Sequence, residues 1–356
     1  MRLGIRLLII VAFALFLSSH RIVSKGSADG GANHRGRNMR FGVSGGNVND
    51  ITRRFCCSGT LGALVKDAAG VSYVLSNNHV LGLSGKANPG DAISQPGRID
   101  NNCQTPPIVA DFTIAPQLGS SNVDAAIAQL RPGAMDASGE IEDIGVPSSI
   151  VAPPTLGMSV AKSGRTTGFT TGEISSISAT VNVQYQAGCG KGKKFVVGYT
   201  NQVVISSATF SAGGDSGSLI VTNDSNHQPV ALLFAGSSTT TIGNPIGEVL
   251  TKVGAALSRT VTVAGTTQGS SIETVVNNGL LLQDVESAKE VKKRHEQDLM
   301  SRPGVIGLGV GRADDNPGAP ALVIYIDRGA GRVPVLPARV ENVKMRVVLT
   351  DQFVAY

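Results

Sequence analysis

Three side chains in this sequence have the types that acyl transfer requires: His79, Asp124 and Ser216. A serine hydroxyl is a weak nucleophile alone, so it needs a base beside it and N–H donors that face the developing oxyanion. A histidine has a suitable pKa for that base, and an aspartate fixes its tautomer and stabilises its cation. The order His, Asp, Ser along the chain predicts a catalytic triad assembled from distant segments.

The local sequence around each residue has a simpler interpretation as well. Ser216 lies in S-A-G-G-D-S-G-S-L-I, residues 211–220, which alone is also typical of a glycine-rich β-turn with Asp215 as its turn acid. His79 in L-S-N-N-H-V-L stands in an apolar frame, where a lone histidine is more often a satisfied core residue. Asp124 in V-D-A-A-I-A needs a hydrogen-bonding partner if it is buried, and a histidine N–H is one. The three motifs together favour catalysis.

The elements that must position these residues are short β-strands. Runs of Val, Ile and Thr separated by Gly, Ser and Asn recur from residue 58 to residue 250, which is typical of an all-β barrel or sandwich. Two strand series of similar size are predicted: 59–65, 71–75, 108–114 and 123–130, then 176–185, 195–199, 202–206, 219–222 and 230–234. A helix over 245–257, with Pro245 in its first turn, follows the second series.

The domain organisation follows from length and from shifts in composition. A chain of 356 residues is too long for one ordinary domain. We predict a signal peptide over 1–26, a linker or arm over 27–49, a main β domain over 50–258, a linker over 259–282 and a small α+β domain over 283–356. The last combines a charged periodic helix with three apolar strand signals.

The N-terminus has the pattern of an export signal. Arg2 and Arg6 precede the apolar run Leu7–Leu17, which is shorter than the ~18–20 residues that a membrane span needs. We therefore expect a periplasmic or extracellular protein, tethered to a membrane only if the signal stays uncleaved. Export permits disulfides among the four cysteines. Because adjacent cysteines strain a mutual bridge, we expect Cys56 or Cys57 to pair with Cys103.

The composition argues against two other classes. The cysteines have neither C-x-x-C spacing nor a nearby histidine cluster, so no metal site is predicted. The net charge is +5, but the basic clusters are not interleaved with aromatic residues for base stacking. We therefore expect no nucleic-acid partner.

The motifs resemble those of chymotrypsin-fold (trypsin-like) serine peptidases. N-H-V at 78–80, D-A-A-I at 124–127 and G-G-D-S-G at 213–217 carry the likeness. C-C-S-G-T-L-G-A-L-V at 56–65 and K-S-G-R-T-T-G-F-T-T-G at 162–172 are similar to bacterial exported members. The resemblance spans roughly 41–258. It implies a mainly β fold with two six-stranded antiparallel β-barrels, followed here by a small C-terminal α+β domain.

The resemblance also implies a role for each matched residue. His79 would act as general base and then as acid, Asp124 would fix its tautomer, and Ser216 would attack the carbonyl. The N–H groups of Gly214 and Ser216 would form the oxyanion hole, with Asp215 as a structural acid behind the loop. No I-V-G-G activation sequence is recognisable, so activity is expected without a cut that creates a new N-terminus. Neither a metal nor an organic cofactor is implied.

For the substrate pocket, the resemblance implies a floor at Phe210 and Ser211 and a wall strand at Phe234, Ala235 and Gly236. The floor position carries no acid, which argues against a preference for arginine or lysine. Phe210 has an alternative interpretation, in which its ring simply packs inside the second barrel.

The sequence thus predicts a serine endopeptidase that acts on protein or peptide substrates through an acyl-enzyme. Two alternatives stay open: a catalytically silent peptide- or protein-binding member of the fold, and an esterase-like acyl hydrolase. The esterase elbow G-x-S-x-G is incomplete, because Ser218 stands at its last glycine. For the C-terminal domain, inhibition, substrate recruitment and simple stabilisation are all open.

Overall fold

The computed structural model describes residues 39–190, 192–268, 280–331 and 334–356. The predicted signal peptide, 1–26, lies outside these ranges, as does most of the predicted arm. The described chain is mainly β, with three α-helices: α1 Asn78–Leu81, α2 Ile246–Leu257 and α3 Leu282–Met300. Among the helices in these ranges, none combines the length and apolarity needed to cross a membrane.

Seven strands build the first barrel: β1 Val43–Asn47, β2 Gly59–Leu61, β3 Ala63–Asp67, β4 Ser72–Ser76, β5 Ala92–Ser94, β6 Ile108–Ile114 and β7 Ala126–Leu130. They pair antiparallel in the order β3-β4-β7-β6-β5-β1-β2. Only Gly62 separates β2 from β3, so these two strands act as one bent strand that closes a six-stranded barrel. A Cβ at Gly62 would lie 1.9 Å from Gly217 O, so the bend also lets the serine loop pack closely.

Six strands build the second barrel: β8 Ser159–Gly164, β9 Gly168–Gln186, β10 Lys194–Ser206, β11 Leu219–Thr222, β12 Pro229–Gly236 and β13 Thr240–Pro245. They pair antiparallel in the order β10-β13-β12-β11-β8-β9, and a further pairing of β9 with β10 closes the ring. The prediction of two six-stranded antiparallel β-barrels is confirmed.

The predicted arm and second linker each contain a strand. β1 lies within 27–49, and β14, Val261–Val263, lies within 259–282 and pairs with β3. The sequence of β1, V-S-G-G-N, has the small residues of a loop because the strand packs tightly: a Cβ at Gly45 would lie 2.3 Å from Leu61. The linker assignment therefore does not hold at 43–47 and 261–263, and the other domain boundaries stay predictions.

The chain from Leu282 onward combines α3 with strands β15 Val305–Arg312, β16 Pro320–Asp327, β17 Arg339–Val340, β18 Val343–Thr350 and β19 Val354–Ala355. The predicted α+β character of this part is confirmed. Its sheet is continuous with the second barrel, because β15 pairs antiparallel with β9, and β16 and β18 pair in parallel beyond it. β19 leaves this sheet and pairs with β12 and β9 of the barrel.

Two disulfides begin at neighbouring residues. Cys56 bonds to Cys103, in the loop between β5 and β6, and Cys57 bonds to Cys189, in the turn between β9 and β10. The expectation that Cys56 or Cys57 pairs with Cys103 is confirmed. The second bridge connects the first barrel to the second.

Candidate active site

The predicted base and acid lie side by side. His79 is in α1, directly after β4, and Asp124 lies two residues before β7. Because β4 and β7 are antiparallel neighbours, the end of one and the start of the other meet at one edge of the sheet. Nδ1 of His79 lies 2.5 Å from Oδ2 of Asp124, and the His79 N–H donates to Oδ1 at 3.1 Å. The Asp124 side chain is fully buried, whereas that of His79 keeps 11% of its surface exposed.

Further hydrogen bonds hold Asp124. The Tyr185 hydroxyl donates to Oδ2 at 2.8 Å and lies 2.6 Å from the Tyr199 hydroxyl. Asn244 Oδ1 accepts from the Asp124 N–H at 2.9 Å, and Asn77 Nδ2 donates to the Asp124 carbonyl at 2.6 Å. The carboxylate therefore accepts from three donors, which offsets the cost of its burial.

Tyr185 is a site residue that sequence reasoning missed. Along β9, Ala179, Val181, Val183 and Tyr185 alternate as buried side chains, and this period of two is visible in the sequence. A tyrosine on an inward face signals a hydroxyl that needs a partner, but only the fold shows that Asp124 is that partner. Burial and the Asp124 charge raise the pKa of Tyr185 well above its ordinary value, so its hydroxyl remains a donor.

The surroundings of His79 make it a stronger base. Burial lowers its pKa, but the charge and hydrogen bond of Asp124 outweigh burial, with help from the carbonyl of Tyr356 and the carboxylate of Asp50. The net pKa lies above the ordinary 6.5. Since Nδ1 is committed to Asp124, proton transfer must use Nε2, which lies 2.9 Å from the Tyr356 carbonyl oxygen.

Ser216 lies in the loop between β10 and β11, which packs on the first barrel. Its carbonyl accepts from the Thr60 N–H at 2.8 Å, and Thr60 Oγ1 donates to the Gly214 carbonyl at 2.9 Å. Ser216 Oγ is buried and donates to the Phe234 carbonyl at 3.1 Å. Gly214 has a φ of +100°, which an L side chain rarely adopts. Within the described chain, the N–H groups of Gly214 and Ser216 have no hydrogen-bond partner, as an oxyanion-binding turn requires.

Asp215 is fully buried behind this loop and is held by the turn between β8 and β9. Oδ1 accepts from the N–H groups of Thr166 and Thr167, and Oδ2 accepts from Thr167 Oγ1 and the Ala212 N–H, at 2.7 to 3.2 Å. The Lys162 ammonium, also fully buried, lies 3.7 Å from Oδ2. Burial lowers the pKa of Lys162 to about 8 against the opposing effect of Asp215, so it is a cation at neutral pH. Sequence reasoning included Lys162 only as part of a motif.

Two of the five predicted pocket residues do not line a pocket through their side chains. Phe210 is fully buried in the core of the second barrel. The Lys162 ammonium lies over its ring, 6.0 Å from the ring centroid. The alternative interpretation of Phe210 therefore agrees with its position. The ring of Phe234 packs on Tyr199 at 4.9 Å between centroids, so this residue contributes only its carbonyl to the cleft.

The other three, Ser211, Ala235 and Gly236, border the Tyr356 side chain. The backbones of Ala235 and Gly236 pair with β19, and a Cβ at Gly236 would lie 2.2 Å from the Tyr356 hydroxyl oxygen. Burial raises the pKa of that phenol, and Ser211 opposes this effect. Whether these positions shape a substrate pocket stays a prediction.

A cleft of about 500 Å³ continues past His79 and Tyr356. Its lining includes Asp50, Arg165 and the Cys57–Cys189 disulfide. Burial raises the pKa of Asp50 to about 6, and the nearby His79 opposes this. Asp50 and the two sulfurs lie close together, but both sulfurs are bonded to each other and so offer no thiolate to a metal.

The sequence was compared with protein families and with curated proteins. The family described as the Nal1 C-terminal domain matches residues 109–253, less than half of the chain. No curated protein gives a significant sequence match.

Solved structures that resemble the chain include three proteases. A glutamic acid-specific serine protease with a histidine triad in substrate binding is 20% identical, with a TM-score of 0.43 over 63% of this chain and 98% of that chain. A Nocardiopsis protease is 16% identical, with a TM-score of 0.42 over 63% of this chain and 98% of that chain. Thermobifida fusca protease A is 17% identical, with a TM-score of 0.41 over 64% of this chain and 98% of that chain. At these identities the likeness concerns the fold alone, and the double barrel is assigned from the strand pairings.

Proposed function

We propose that the protein is a serine endopeptidase that hydrolyses peptide bonds in protein or peptide substrates. The observation that supports this best is the buried Asp124 carboxylate, 2.5 Å from Nδ1 of His79, at a cleft that the glycine turn before Ser216 also lines. Acyl transfer needs a base oriented by a buried acid and a serine flanked by free N–H donors, and both lie on segments that border this cleft.

In the proposed reaction, Ser216 Oγ leaves its hydrogen bond to the Phe234 carbonyl and attacks the substrate carbonyl carbon while His79 Nε2 takes its proton. The N–H groups of Gly214 and Ser216 bind the resulting oxyanion. His79 then donates the proton to the leaving nitrogen as the C–N bond breaks, which leaves an acyl-enzyme.

Water completes the cycle. His79 Nε2 takes a proton from water as its oxygen attacks the ester carbonyl, and the proton returns to Ser216 Oγ when the acid leaves. In both steps Asp124 stabilises the imidazolium, and Tyr185 and the His79 N–H keep that carboxylate in place.

We also propose that the oxyanion turn is ordered without a cut that creates a new N-terminus. The support is that Asp215 already has four hydrogen bonds and an internal cation, Lys162. N-terminal sequencing of active protein tests this, and an activity that depends on one newly created N-terminus would contradict it.

The proposed compartment is outside the cytoplasm. Two disulfides support export, because such bridges persist in oxidising compartments. Fractionation of cells that produce the full chain tests this, and fully reduced protein confined to the cytoplasm would contradict it.

The test of the enzymatic proposal is labelling with a fluorophosphonate, followed by peptide mapping of the modified residue. We expect the label on Ser216, loss of label in Ser216→Ala, and unchanged label in Ser207→Ala, which lies outside the cleft. Peptidase turnover of Ser216→Ala should fall by about 10⁴- to 10⁶-fold. If prolonged incubation labels neither the full chain nor a chain without its last three residues, the proposal is wrong.

Two measurements separate the alternatives. A silent binding protein would bind peptides equally before and after Ser216→Ala and cleave none. An esterase would hydrolyse a nitrophenyl ester and leave casein intact.

A further inference from the structure

We infer that Val354–Tyr356 occupies the substrate cleft as the acyl side of a peptide would, with Tyr356 immediately before the scissile position. The pocket then selects an aromatic residue with a hydroxyl at that position, and the segment keeps the site closed. This inference rests on the proposed peptidase function and assigns both its substrate class and its regulation.

The segment pairs with the cleft as an added β-strand. β19 runs antiparallel to β12, with Ala355 opposite Ala235 and Val354 opposite Gly236. The Tyr356 N–H donates to the Phe234 carbonyl at 3.4 Å. Recognition through backbone hydrogen bonds to an exposed strand edge tolerates many sequences, so specificity must come from side-chain pockets.

The segment places a carbonyl at the reacting groups. After pairing with β12, the chain turns its Tyr356 carbonyl oxygen to within 2.9 Å of His79 Nε2. Phe234, whose carbonyl accepts from the Tyr356 N–H, also accepts from Ser216 Oγ. The Tyr356 carbonyl oxygen therefore lies beside the base, and the Tyr356 N–H shares its acceptor with the nucleophile.

The side chain of Tyr356 fills a pocket that fits it. Its hydroxyl donates to the Ser237 carbonyl at 2.9 Å. Gly236 leaves the room that this ring needs. Burial raises the pKa of Tyr356 to about 12, so the phenol stays neutral and donating.

The pocket predicts a ranking of substrates. Phenylalanine fills the same volume but leaves the Ser237 carbonyl without the hydroxyl that donates to it, and leucine fills less of the pocket. Lysine and glutamate would bury a charge, and the carboxylate behind the pocket, Asp215, is already committed to Lys162. We expect cleavage after tyrosine to be fastest, then phenylalanine, then leucine.

Contacts on either side of the cleft hold the segment in place. Phe353 is fully buried against Tyr325, and its carbonyl accepts from the Gln184 N–H at 2.8 Å. Thr350 Oγ1 lies 2.6 Å from Ser237 Oγ on the pocket wall. Removing 354–356 therefore empties the cleft while the buried anchor Phe353 stays in the core.

A tethered segment competes with substrate at a fixed effective concentration, whatever the protein concentration. Emptying the cleft should therefore raise the rate of fluorophosphonate labelling of Ser216 by about tenfold or more, where tenfold corresponds to about 1.4 kcal/mol of net segment binding.

The experiment compares the full chain, a chain ending at Phe353, and the substitutions Tyr356→Phe and Tyr356→Lys. We expect slow labelling of the full chain and of Tyr356→Phe, and fast labelling of the shortened chain and of Tyr356→Lys. The shortened chain is then given acetyl-Phe-Val-Ala-Xaa-aminomethylcoumarin with Xaa as Tyr, Phe, Leu, Lys or Glu. Free acetyl-Phe-Val-Ala-Tyr should inhibit it, and acetyl-Phe-Val-Ala-Lys should not.

The outcomes distinguish the two proposals. If no form is labelled and none cleaves any substrate, the peptidase proposal is wrong, and this inference with it. If the full and shortened chains are labelled at the same rate, or if the shortened chain prefers lysine or glutamate to tyrosine, the peptidase proposal stands and this inference alone is wrong.

Discussion

Replacing Lys162 by methionine tests whether a buried cation holds the oxyanion turn. Lys162 lies on β8, and its ammonium donates to the Gly168 carbonyl at 2.8 Å and to the Thr167 hydroxyl. The same ammonium lies 3.7 Å from Oδ2 of Asp215. Methionine keeps most of the side-chain volume and removes the charge together with these two hydrogen bonds. The Asp215 carboxylate would then remain fully buried, between the two residues whose N–H groups we propose as oxyanion donors.

The expected loss of stability follows from two estimates. Unit charges 3.7 Å apart attract by about 4.5 kcal/mol at an effective dielectric constant of about 20. Removal of one partner from a buried pair costs about 3–5 kcal/mol. Because Asp215 keeps four hydrogen bonds, we expect the lower end, about 3 kcal/mol in the free energy of unfolding.

The assay is urea denaturation followed by circular dichroism, combined with the rate of fluorophosphonate labelling. Labelling should also slow, because the turn that carries Gly214 loses its brace. Arg131→Met is the matched control: it breaks the Arg131–Asp111 pair, which is exposed to solvent, so a much smaller loss of stability is expected. The double variant Lys162→Met/Asp215→Asn should regain part of the stability. A loss for Lys162→Met no larger than that of the control would refute the reasoning.

Three further perturbations address the base and the oxyanion turn. Tyr185→Phe removes a hydrogen bond to the charged Asp124, worth about 1.5–3 kcal/mol, so kcat/KM should fall at least about tenfold, and an unchanged value would contradict the supporting role. Asp50→Asn removes a carboxylate that raises the pKa of His79, so the ring should titrate at lower pH by NMR. The acidic limb of the pH–rate profile should move to lower pH as well, and a raised or unchanged His79 pKa would count against this. Gly214→Ala forces a side chain into a φ of +100°, so turnover should fall about 10²- to 10³-fold. Circular dichroism should show that the variant still folds, and full activity would exclude an oxyanion role for this turn.

Much of the fold could be predicted because its signals are local. Short apolar runs separated by Gly, Ser and Asn mark strands wherever side chains alternate between core and surface. Those signals placed His79 just past the end of one predicted strand and Asp124 near the start of another, and the pairing of β4 with β7 brings the two residues together. β1 escaped detection because its small residues serve close packing against Leu61, and β19 because two residues carry no period.

The supporting contacts of the site could not be predicted, because their partners are distant in sequence. Tyr185 reaches Asp124 only because the β9–β10 hairpin meets the first barrel. Lys162 is part of a recognisable motif, but nothing local indicates that its charge lies buried beside Asp215. Tyr356 is 277 residues from His79, a separation at which only the folded sheet determines contact.

The bridge between Cys57 and Cys189 has a consequence for limited proteolysis of the chain. The connection between the barrels, from the end of β7 at Leu130 to the start of β8 at Ser159, lies between these two cysteines in the chain. A nick anywhere in that connection would produce two fragments that remain one covalent molecule, with His79 and Asp124 on one fragment and Ser216 on the other. Such a two-chain form would keep its cleft under oxidising conditions and come apart only when the bridge is reduced.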